Sequence, residues 1–274
     1  MRYLCLLFFC FSYVHAQQRE IASGVVYEHI VCQEPILSIH VLRVDPTCVS
    51  IRPLRALDPH GEVLSQMADK ADVFCAVNAG FFRIDEDRRR IPAGILKVDG
   101  RFFGRTKASR GAIAWSSDLL PLFDRVVLER RTILPILSPD QKDLWKISEY
   151  VVGGAGLLIK DGKVRSDLSS ERLCESFYDR HARTVVGTLP DRRWVFVLVD
   201  GGRSDYSVGM TLSELCGFLV SLGCQNGLNL DGGGSSSMYV RGSIVNLPYG
   251  DKDDDEGKAC ERRITDAIGI WLKR

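Results

Sequence analysis

The segment that decides the fold is residues 194–237, WVFVLVDGGRSDYSVGMTLSELCGFLVSLGCQNGLNLDGGGSSS. Its first six residues, Trp194–Val199, are all apolar and predict a buried strand. Thr211 and Glu214 have the spacing of a capping box, so a helix is expected from residue 212. Apolar residues at helical spacing continue towards Gly223, a typical helix end, and Gly227–Leu230 predicts the next strand. We therefore expect a strand–helix–strand unit over residues 194–231.

The remainder of the chain alternates short β-type runs, turns and a few helical stretches. Asp99-Gly100, Asp161-Gly162 and Arg241-Gly242 each separate two such runs and predict hairpins. Residues 62–70 and 141–150 have the pattern of short helices. This organisation predicts an α+β fold with a mixed β-sheet and several hairpins, in a single domain over residues 17–274.

Three apolar runs end in a polar side chain followed within two residues by glycine. A strand–helix–strand unit is usually parallel, which would place Asp200 and Asp231 at the same edge of the sheet. Neighbouring strands lie ~4.8 Å apart, so we expect the two carboxylates within the ~5–9 Å that glycoside hydrolysis uses. The third run ends in Asn78. Asp200, Asp231 and Asn78 are therefore the candidate catalytic residues, and a divalent cation at the aspartates is possible.

A glycine- and serine-rich turn follows the second aspartate. Gly232, Gly233 and Gly234 allow the backbone to approach a ligand closely, and their N–H groups can bind an anion. Ser235 and Ser236 add hydroxyl donors. These five residues are candidate contacts for phosphate or sugar.

Three arginines are candidate phosphate ligands, because the guanidinium group matches phosphate oxygens in a bidentate manner. Arg183 begins a predicted strand, Arg203 lies in the glycine loop after Asp200, and Arg262 precedes the last predicted strand. The five histidines show no spacing typical of a zinc hydrolase.

The composition excludes several classes of protein. The 274 residues are 45% hydrophobic and 26% charged, which is typical of a globular chain and not of a disordered or collagen-like one. The net charge of +1 lacks the basic excess that non-specific nucleic-acid binding requires, so no nucleic-acid partner is expected.

The N-terminus has the layout of a secretory signal peptide. Arg2 precedes the apolar run Leu4–Phe11, and the small residue Ala16 marks the expected cleavage site. The run is too short to span a bilayer, which takes ~20 residues. We expect residues 1–16 to be removed and the protein to be secreted or to reside in the periplasm or cell envelope, with no stable membrane insertion.

Seven of the nine cysteines remain after this cleavage. An oxidising compartment permits disulfide bonds, and an odd number leaves at least one cysteine without an intramolecular partner. We expect disulfide bonding among them, with the pairing left open. These cysteines are Cys32, Cys48, Cys75, Cys174, Cys216, Cys224 and Cys260.

The glycine-rich segments that follow Asn78, Asp200 and Asp231, together with several other short segments, resemble the phosphodiester glycosidase family. The resemblance spans about residues 73–272 in the family's order, and its longest string is Leu228-Asn-Leu-Asp-Gly-Gly-Gly-Ser-Ser236. The other matching segments are Asn78-Ala-Gly-Phe-Phe82, Gly94–Lys97, Ala182–Thr184, Val186-Gly187, Val199–Arg203, Gly209–Leu212, Asn246-x-Pro248 and Glu261-Arg262. The chain departs from the family in having Ala79 where glycine is frequent and Asp266 where asparagine is frequent, and it carries an acidic insert at residues 251–256.

The resemblance implies hydrolysis of the sugar–phosphate bond in glycosyl-1-phosphodiesters, with N-acetylglucosamine-1-phosphodiester-like or phosphoglycan substrates. It implies that Asn78, Arg183, Asp200, Arg203, Asp231, Ser235, Ser236 and Arg262 line the pocket, without settling the role of each. Two alternatives remain open. The first is that the protein is a non-catalytic glycan-binding protein of the envelope. The second is that it is a metal-dependent phosphodiesterase that cuts the P–O bond.

Overall fold

The computed structural model describes residues 13–105, 108–118, 120–165, 167–250 and 260–273. Most of residues 1–16, the predicted signal peptide, and all of the acidic insert at 251–256 lie outside these ranges. The first described strand begins at Tyr13, so it includes the last four residues before the expected cleavage site.

The elements are numbered along the chain. The strands of the described residues are β1 (Tyr13–Ala22), β2 (Val25–Gln33), β3 (Ile36–Val44), β4 (Val49–Arg55), β5 (Cys75–Asn78), β6 (Phe82–Ile84), β7 (Arg90–Pro92), β8 (Leu96–Val98), β9 (Arg101–Gly104), β10 (Arg110–Trp115), β11 (Leu122–Glu129), β12 (Thr132–Pro135), β13 (Tyr150–Gly153), β14 (Leu157–Lys160), β15 (Lys163–Val164), β16 (Arg183–Thr188), β17 (Trp194–Val199), β18 (Asn226–Asn229), β19 (Met238–Val240), β20 (Ser243–Ile244) and β21 (Asp266–Leu272). The helices are α1 (Leu64–Lys70), α2 (Lys142–Ile147) and α3 (Leu212–Ser221), with 3₁₀ turns at Pro139–Gln141, Leu168–Glu171, Glu175–Tyr178 and Gly233–Ser235.

Three sheets enclose one apolar core. The eight-stranded sheet has the order β1-β2-β3-β17-β16-β18-β14-β15, the six-stranded sheet β12-β11-β10-β13-β8-β9, and the five-stranded sheet β20-β19-β5-β21-β4. Their inner faces share a single cluster of buried side chains, to which Phe196, Ile113 and Val77 contribute one from each sheet. Because each sheet buries one face in this core, its outer face is free to pack against a helix.

One helix covers the outer face of each sheet. Helix α3 packs on the eight-stranded sheet, α1 on the five-stranded sheet, and α2 on the six-stranded sheet through the buried Trp145. The capping box of α3 is present, since the amide of Glu214 donates to the side chain of Thr211 at 3.2 Å and the Glu214 carboxylate accepts from the Thr211 amide at 2.9 Å. Gly223 follows this helix with a φ of +76°, which confirms the predicted end.

The α+β class and the hairpins at 99–100, 161–162 and 241–242 are confirmed, but the prediction of a mixed sheet is wrong. Every ladder between the numbered strands of the described residues is antiparallel. Strands β17 and β18 both pair with β16, so they run parallel to each other with β16 between them. The two strands of the unit at residues 194–231 are therefore not neighbours, because β16 lies between them.

The expected disulfides are not found in the part of the chain that the structure describes. No disulfide joins two of the cysteines among the described residues. Cys32, Cys75 and Cys224 are buried, and burial raises the pKa of the Cys75 and Cys224 thiols to about 12. Thiols in such apolar surroundings are chemically unreactive. No helix of the described residues is long and apolar enough to cross a membrane.

Candidate active site

Four polar residues gather where strands end at one end of the core. Asn78 is the last residue of β5, and Asp266 is the first residue of the neighbouring strand β21. Asp231 follows β18 by two residues, and its amide donates to the carbonyl oxygen of Ala79 at 2.8 Å. Asp200 directly follows β17. A cavity of about 420 Å³ lies at the opposite end of β17, around Trp194, and does not include these residues.

Asn246 connects the environments of the two predicted aspartates. Its Nδ2 donates to Asp200 Oδ1 at 2.9 Å and to the carbonyl oxygen of Ser236 at 3.1 Å, and its Oδ1 accepts from the amide of Met238 at 2.9 Å. Three of the four hydrogen bonds that a side-chain amide can form are thus present. The sequence motif Asn246-x-Pro248 pointed to this region, but not to the bridge.

Asp200 is a buried carboxylate with donors on both oxygens. Oδ1 accepts from Asn246 and from the amide of Leu247 at 3.1 Å, and Oδ2 lies 3.2 Å from both His40 Nε2 and the hydroxyl of Tyr206. Burial by itself raises the pKa of Asp200, but the hydrogen bonds and the His40 interaction outweigh it and hold the pKa below its usual value. The group is therefore an ionised, fully engaged carboxylate.

Asp231 has the opposite character. Burial raises its pKa to about 7, and the charge of Asp266 adds to the rise. A hydrogen bond with Ser235, the charge of Arg262 and the amide of Gly232 favour the ionised form and limit the rise. The residue keeps partial contact with solvent. A carboxyl group with these properties carries a proton near neutral pH and can give it up to a ligand.

The two predicted aspartates follow strands that are not adjacent in the sheet. The turns that follow them both pack against Ala182, which precedes β16: a Cβ at Gly201 would lie 2.9 Å from Ala182 Cα, and a Cβ at Gly232 would lie 2.6 Å from its carbonyl oxygen. Asp200 and Asp231 thus flank the strand β16, and two strand spacings amount to roughly 10 Å. The expectation of adjacent strands is wrong because β16 lies between β17 and β18.

Asn78 is fully buried and is engaged on both sides of its amide. Nδ2 donates to the carbonyl oxygen of Asp231 at 2.7 Å. Oδ1 accepts from the hydroxyl of Thr184 at 2.8 Å and from the amide of Ser237 at 3.1 Å. These contacts tie the end of β5 to β16 and to both ends of the glycine–serine turn.

The glycine–serine turn is closely packed. Gly233 has a φ of +59°, and a Cβ there would lie 3.1 Å from the hydroxyl of Tyr249. A Cβ at Gly234 would overlap the carbonyl oxygen of Gly250. Ser235 is buried, and its hydroxyl accepts from Arg262 Nη1 at 3.3 Å. Ser236 is also buried, and its hydroxyl lies 3.3 Å from that of Thr184.

The three predicted arginines occupy different environments. Arg183 is buried and donates through Nε to Met210 O at 2.9 Å and through Nη2 to the carbonyls of Phe177 and Asp179 at 2.9 and 2.6 Å. Burial lowers its pKa to about 10. Arg262 lies beside Asp231 and Ser235, whereas Arg203 is half-buried in the loop after Asp200.

Sequence reasoning missed three participants. His40 on β3 contacts Asp200. The ring of Tyr249 lies 3.1–3.4 Å from the position that a Cβ would take at Gly202. The charges of Asp231, Arg262 and Arg183 act on the Tyr249 hydroxyl. Asp266 accepts from the amide of Gly80 at 2.9 Å and from the Thr265 hydroxyl at 2.6 Å. Only Asp266 had a signal in the sequence, since it replaces the asparagine frequent in the resembling family.

Among the described residues, no group of three or more His, Cys, Asp and Glu side chains is placed to hold a metal ion.

Comparisons with known proteins agree on the family and the fold. The profile of the phosphodiester glycosidase family matches residues 71–271. The human N-acetylglucosamine-1-phosphodiester alpha-N-acetylglucosaminidase is 23% identical over 248 residues, covering 82% of this chain and 45% of the human protein. The chain therefore spans less than half the length of that relative.

Two solved structures share the fold at low sequence identity. A hypothetical protein from Synechocystis has a TM-score of 0.75 at 16% identity, covering 94% of this chain and 64% of the other. The catalytic domain of the zebrafish N-acetylglucosamine-1-phosphodiester alpha-N-acetylglucosaminidase has a TM-score of 0.67 at 20% identity, covering 94% of this chain and 88% of the other.

Proposed function

Because the chain belongs to the phosphodiester glycosidase family, we propose that it hydrolyses the sugar–phosphate bond of glycosyl-1-phosphodiesters. The products would be a free sugar and a phosphomonoester. The name of the human relative supports an N-acetylglucosamine-1-phosphodiester as the first substrate to test. A phosphoglycan that contains this linkage is a substrate of the same chemistry.

The observation that carries the proposal is the placement of the Asp231 carboxyl group beside Ser235 and Arg262 at the glycine–serine turn, in surroundings that raise its pKa. A carboxyl group with a pKa of about 7 is suited to general acid catalysis at neutral pH. In the proposed step, the bond between C1 and the bridging oxygen breaks while Asp231 gives its proton to the departing phosphate. Water adds to C1, and the proton that it loses returns to Asp231 through solvent.

The phosphate would be bound on the side of the glycine–serine turn. Arg262 lies at this turn through its contact with Ser235, and Arg203 extends from the loop after Asp200. Guanidinium groups and backbone amides stabilise charge that develops on a leaving phosphate. Gly232, Gly233, Gly234 and the hydroxyls of Ser235 and Ser236 complete the proposed phosphate and sugar contacts.

Asn78, Asp200 and Arg183 would position this machinery. Asn78 holds the carbonyl group of Asp231, and Asp200 is joined to the serine turn through Asn246. Arg183 fastens the 3₁₀ turn at Glu175–Tyr178 through Phe177 and Asp179. Asp200 has donors on both of its oxygens and is less suited than Asp231 to exchange a proton with substrate.

The predicted signal peptide supports action outside the cytoplasm, in the secretory route or the cell envelope. Sugar-1-phosphodiesters in that compartment would then be the available substrates. No nucleic-acid or stably inserted membrane partner is part of the proposal.

The experiment is a hydrolysis assay with an N-acetylglucosamine-1-phospho-alkyl ester. We expect free sugar from the wild-type protein and at least a ~10²-fold loss in Asp231→Asn, the size typical of removing a general acid. Asp140→Asn is the matched control, because Asp140 is exposed in the turn before α2. Equal rates in Asp231→Asn and wild type would contradict the role of Asp231.

No turnover of this ester or of other glycosyl-1-phosphodiesters, together with measurable ligand binding, would support the glycan-binding alternative instead.

A further inference from the structure

The side chain of Tyr249 contacts both the turn that follows Asp200 and the turn that follows Asp231. Its ring carbons lie 3.1–3.4 Å from the position that a Cβ would take at Gly202, in the first turn. Its hydroxyl oxygen lies 3.1 Å from the position that a Cβ would take at Gly233, in the second turn. Because glycine leaves both positions open, one tyrosine reaches the two turns at once.

The residue after Tyr249 continues this contact with the glycine–serine turn. The carbonyl oxygen of Gly250 occupies the space that a Cβ at Gly234 would need, and it accepts from Arg262 Nη2 at 3.3 Å. Arg262 Nη1 donates to the hydroxyl of Ser235 at 3.3 Å. The Tyr249 hydroxyl and the Arg262 guanidinium group therefore lie at the same turn.

The backbone of the glycine–serine turn leaves few donors for a ligand. The amide of Gly233 donates to the carbonyl oxygen of Ala182 at 2.8 Å. The amides of Ser235 and Ser236 are used inside the turn itself, in hydrogen bonds of 3.1 Å each. A phosphate group bound at this turn needs several donors for its oxygens, so most of them must come from side chains.

The hydroxyl of Tyr249 is an available donor of this kind. The residue is half-buried, and its hydroxyl has no hydrogen-bond partner among the residues that the structure describes. Burial raises the pKa of this phenol, so the hydroxyl keeps its proton at neutral pH. Arg203 directly follows Gly202, on which the ring lies, so the tyrosine joins the segments that carry Arg203 and Arg262.

We propose that Tyr249 is a phosphate-binding residue, whose hydroxyl donates a hydrogen bond to the phosphate group of the substrate together with Arg203 and Arg262. This inference rests on the proposed function, in which the phosphate binds on the side of the glycine–serine turn. The contacts of the ring hold the donor in place before the substrate binds. A hydrogen bond to a charged group contributes more to binding than one between neutral groups.

The first test is Tyr249→Phe, which removes the hydroxyl and keeps the ring. For hydrolysis of an N-acetylglucosamine-1-phospho-alkyl ester, kcat/KM should fall about tenfold, and the inhibition constant of inorganic phosphate should rise by about the same factor. Inhibition by free N-acetylglucosamine should not change, because this sugar carries no phosphate. Unchanged inhibition by phosphate, or equal weakening for phosphate and sugar as a purely structural role predicts, would overturn the proposal.

Tyr239→Phe is the matched control for this test. The hydroxyl of Tyr239 donates to Asp69 Oδ1 at 2.6 Å, where the five-stranded sheet packs against α1. Its removal deletes the same atom at a place outside the candidate site. The kinetic constants and the inhibition by phosphate should therefore stay as in the wild-type protein.

The second test needs neither hydrolysis nor a deletion. A 3-fluorotyrosine placed at residue 249 alone gives one fluorine-19 NMR signal. Titration with inorganic phosphate should shift this signal and reach saturation at the dissociation constant that calorimetry gives for the same protein. A signal that does not move while phosphate binds, or the absence of phosphate binding, would overturn the proposal even if Tyr249→Phe does not fold.

The two tests separate failure of this inference from failure of the proposed function. Calorimetry that shows about tenfold weaker phosphate binding in Tyr249→Phe, in a protein that hydrolyses no glycosyl phosphodiester, would support the phosphate contact and refute the glycosidase. Hydrolysis that depends on Asp231, with unchanged inhibition by phosphate in Tyr249→Phe, would support the glycosidase and refute the role of Tyr249.

Discussion

Replacing Asp231 by asparagine should stabilise the protein at neutral and alkaline pH while it removes activity. The folded protein holds the pKa of this carboxyl at about 7, against 3.8 in an unfolded chain. Between these values the folded state binds the proton and the unfolded state does not, so the free energy of unfolding falls as the pH rises. Above pH 7 the folded protein carries the whole cost of an ionised Asp231.

The magnitude follows from the two pKa values. Their difference corresponds to about 4 kcal/mol of unfolding free energy, and the residual solvent contact of Asp231 makes this an upper figure. Asparagine has the shape of the protonated acid and carries no charge. The stability of Asp231→Asn minus that of wild type should therefore increase from about pH 4 to about pH 7 and stay constant above it.

The assay is urea unfolding of both proteins from pH 4 to pH 9, with Asp140→Asn as the reference for an exposed aspartate. The difference in unfolding free energy between Asp140→Asn and wild type should change little over this range, because the Asp140 side chain is exposed. If the difference in unfolding free energy between Asp231→Asn and wild type is independent of pH, the reasoning is refuted.

Three further changes test other parts of the structure. His40→Ala leaves Asp200 without one partner and should lower the free energy of unfolding by about 3 kcal/mol. Urea unfolding measures this change, and unchanged stability would show that the His40–Asp200 contact is dispensable. Gly234→Ala places a methyl group on the carbonyl oxygen of Gly250 and should lower kcat/KM at least tenfold, whereas wild-type kinetics would mean that the turn relaxes freely. Thr211→Ala removes the cap of α3 and should cost about 1 kcal/mol with no change in kcat, and an altered kcat would contradict a purely structural cap.

The candidate site could be predicted where a strand and its functional residue are adjacent in sequence. Asn78, Asp200 and Asp231 follow apolar runs, and the glycine–serine turn follows Asp231, so local patterns were sufficient. The partners of these residues come from elsewhere in the chain. His40 reaches Asp200 only because β3 pairs with β17. No local pattern in the sequence specifies that pairing.

The sheet order explains the main error in the predicted fold. The turn at residues 190–191 makes β16 and β17 a hairpin, which fills one side of β17, and β3 fills the other. Strand β18 must therefore pair with the far edge of β16. The sequence does not predict strands β10–β13. The connections among residues 110–153 lack the short glycine turns that identify the other hairpins.

The central claim is that Asp231 promotes cleavage between the sugar carbon and the bridging oxygen. Hydrolysis of an N-acetylglucosamine-1-phospho-alkyl ester in ¹⁸O-labelled water, followed by mass spectrometry of the phosphomonoester, tests it most directly. The account predicts a phosphomonoester without ¹⁸O, formed by the wild-type protein and not by Asp231→Asn. Incorporation of ¹⁸O into the phosphate would mean P–O cleavage and would contradict the account.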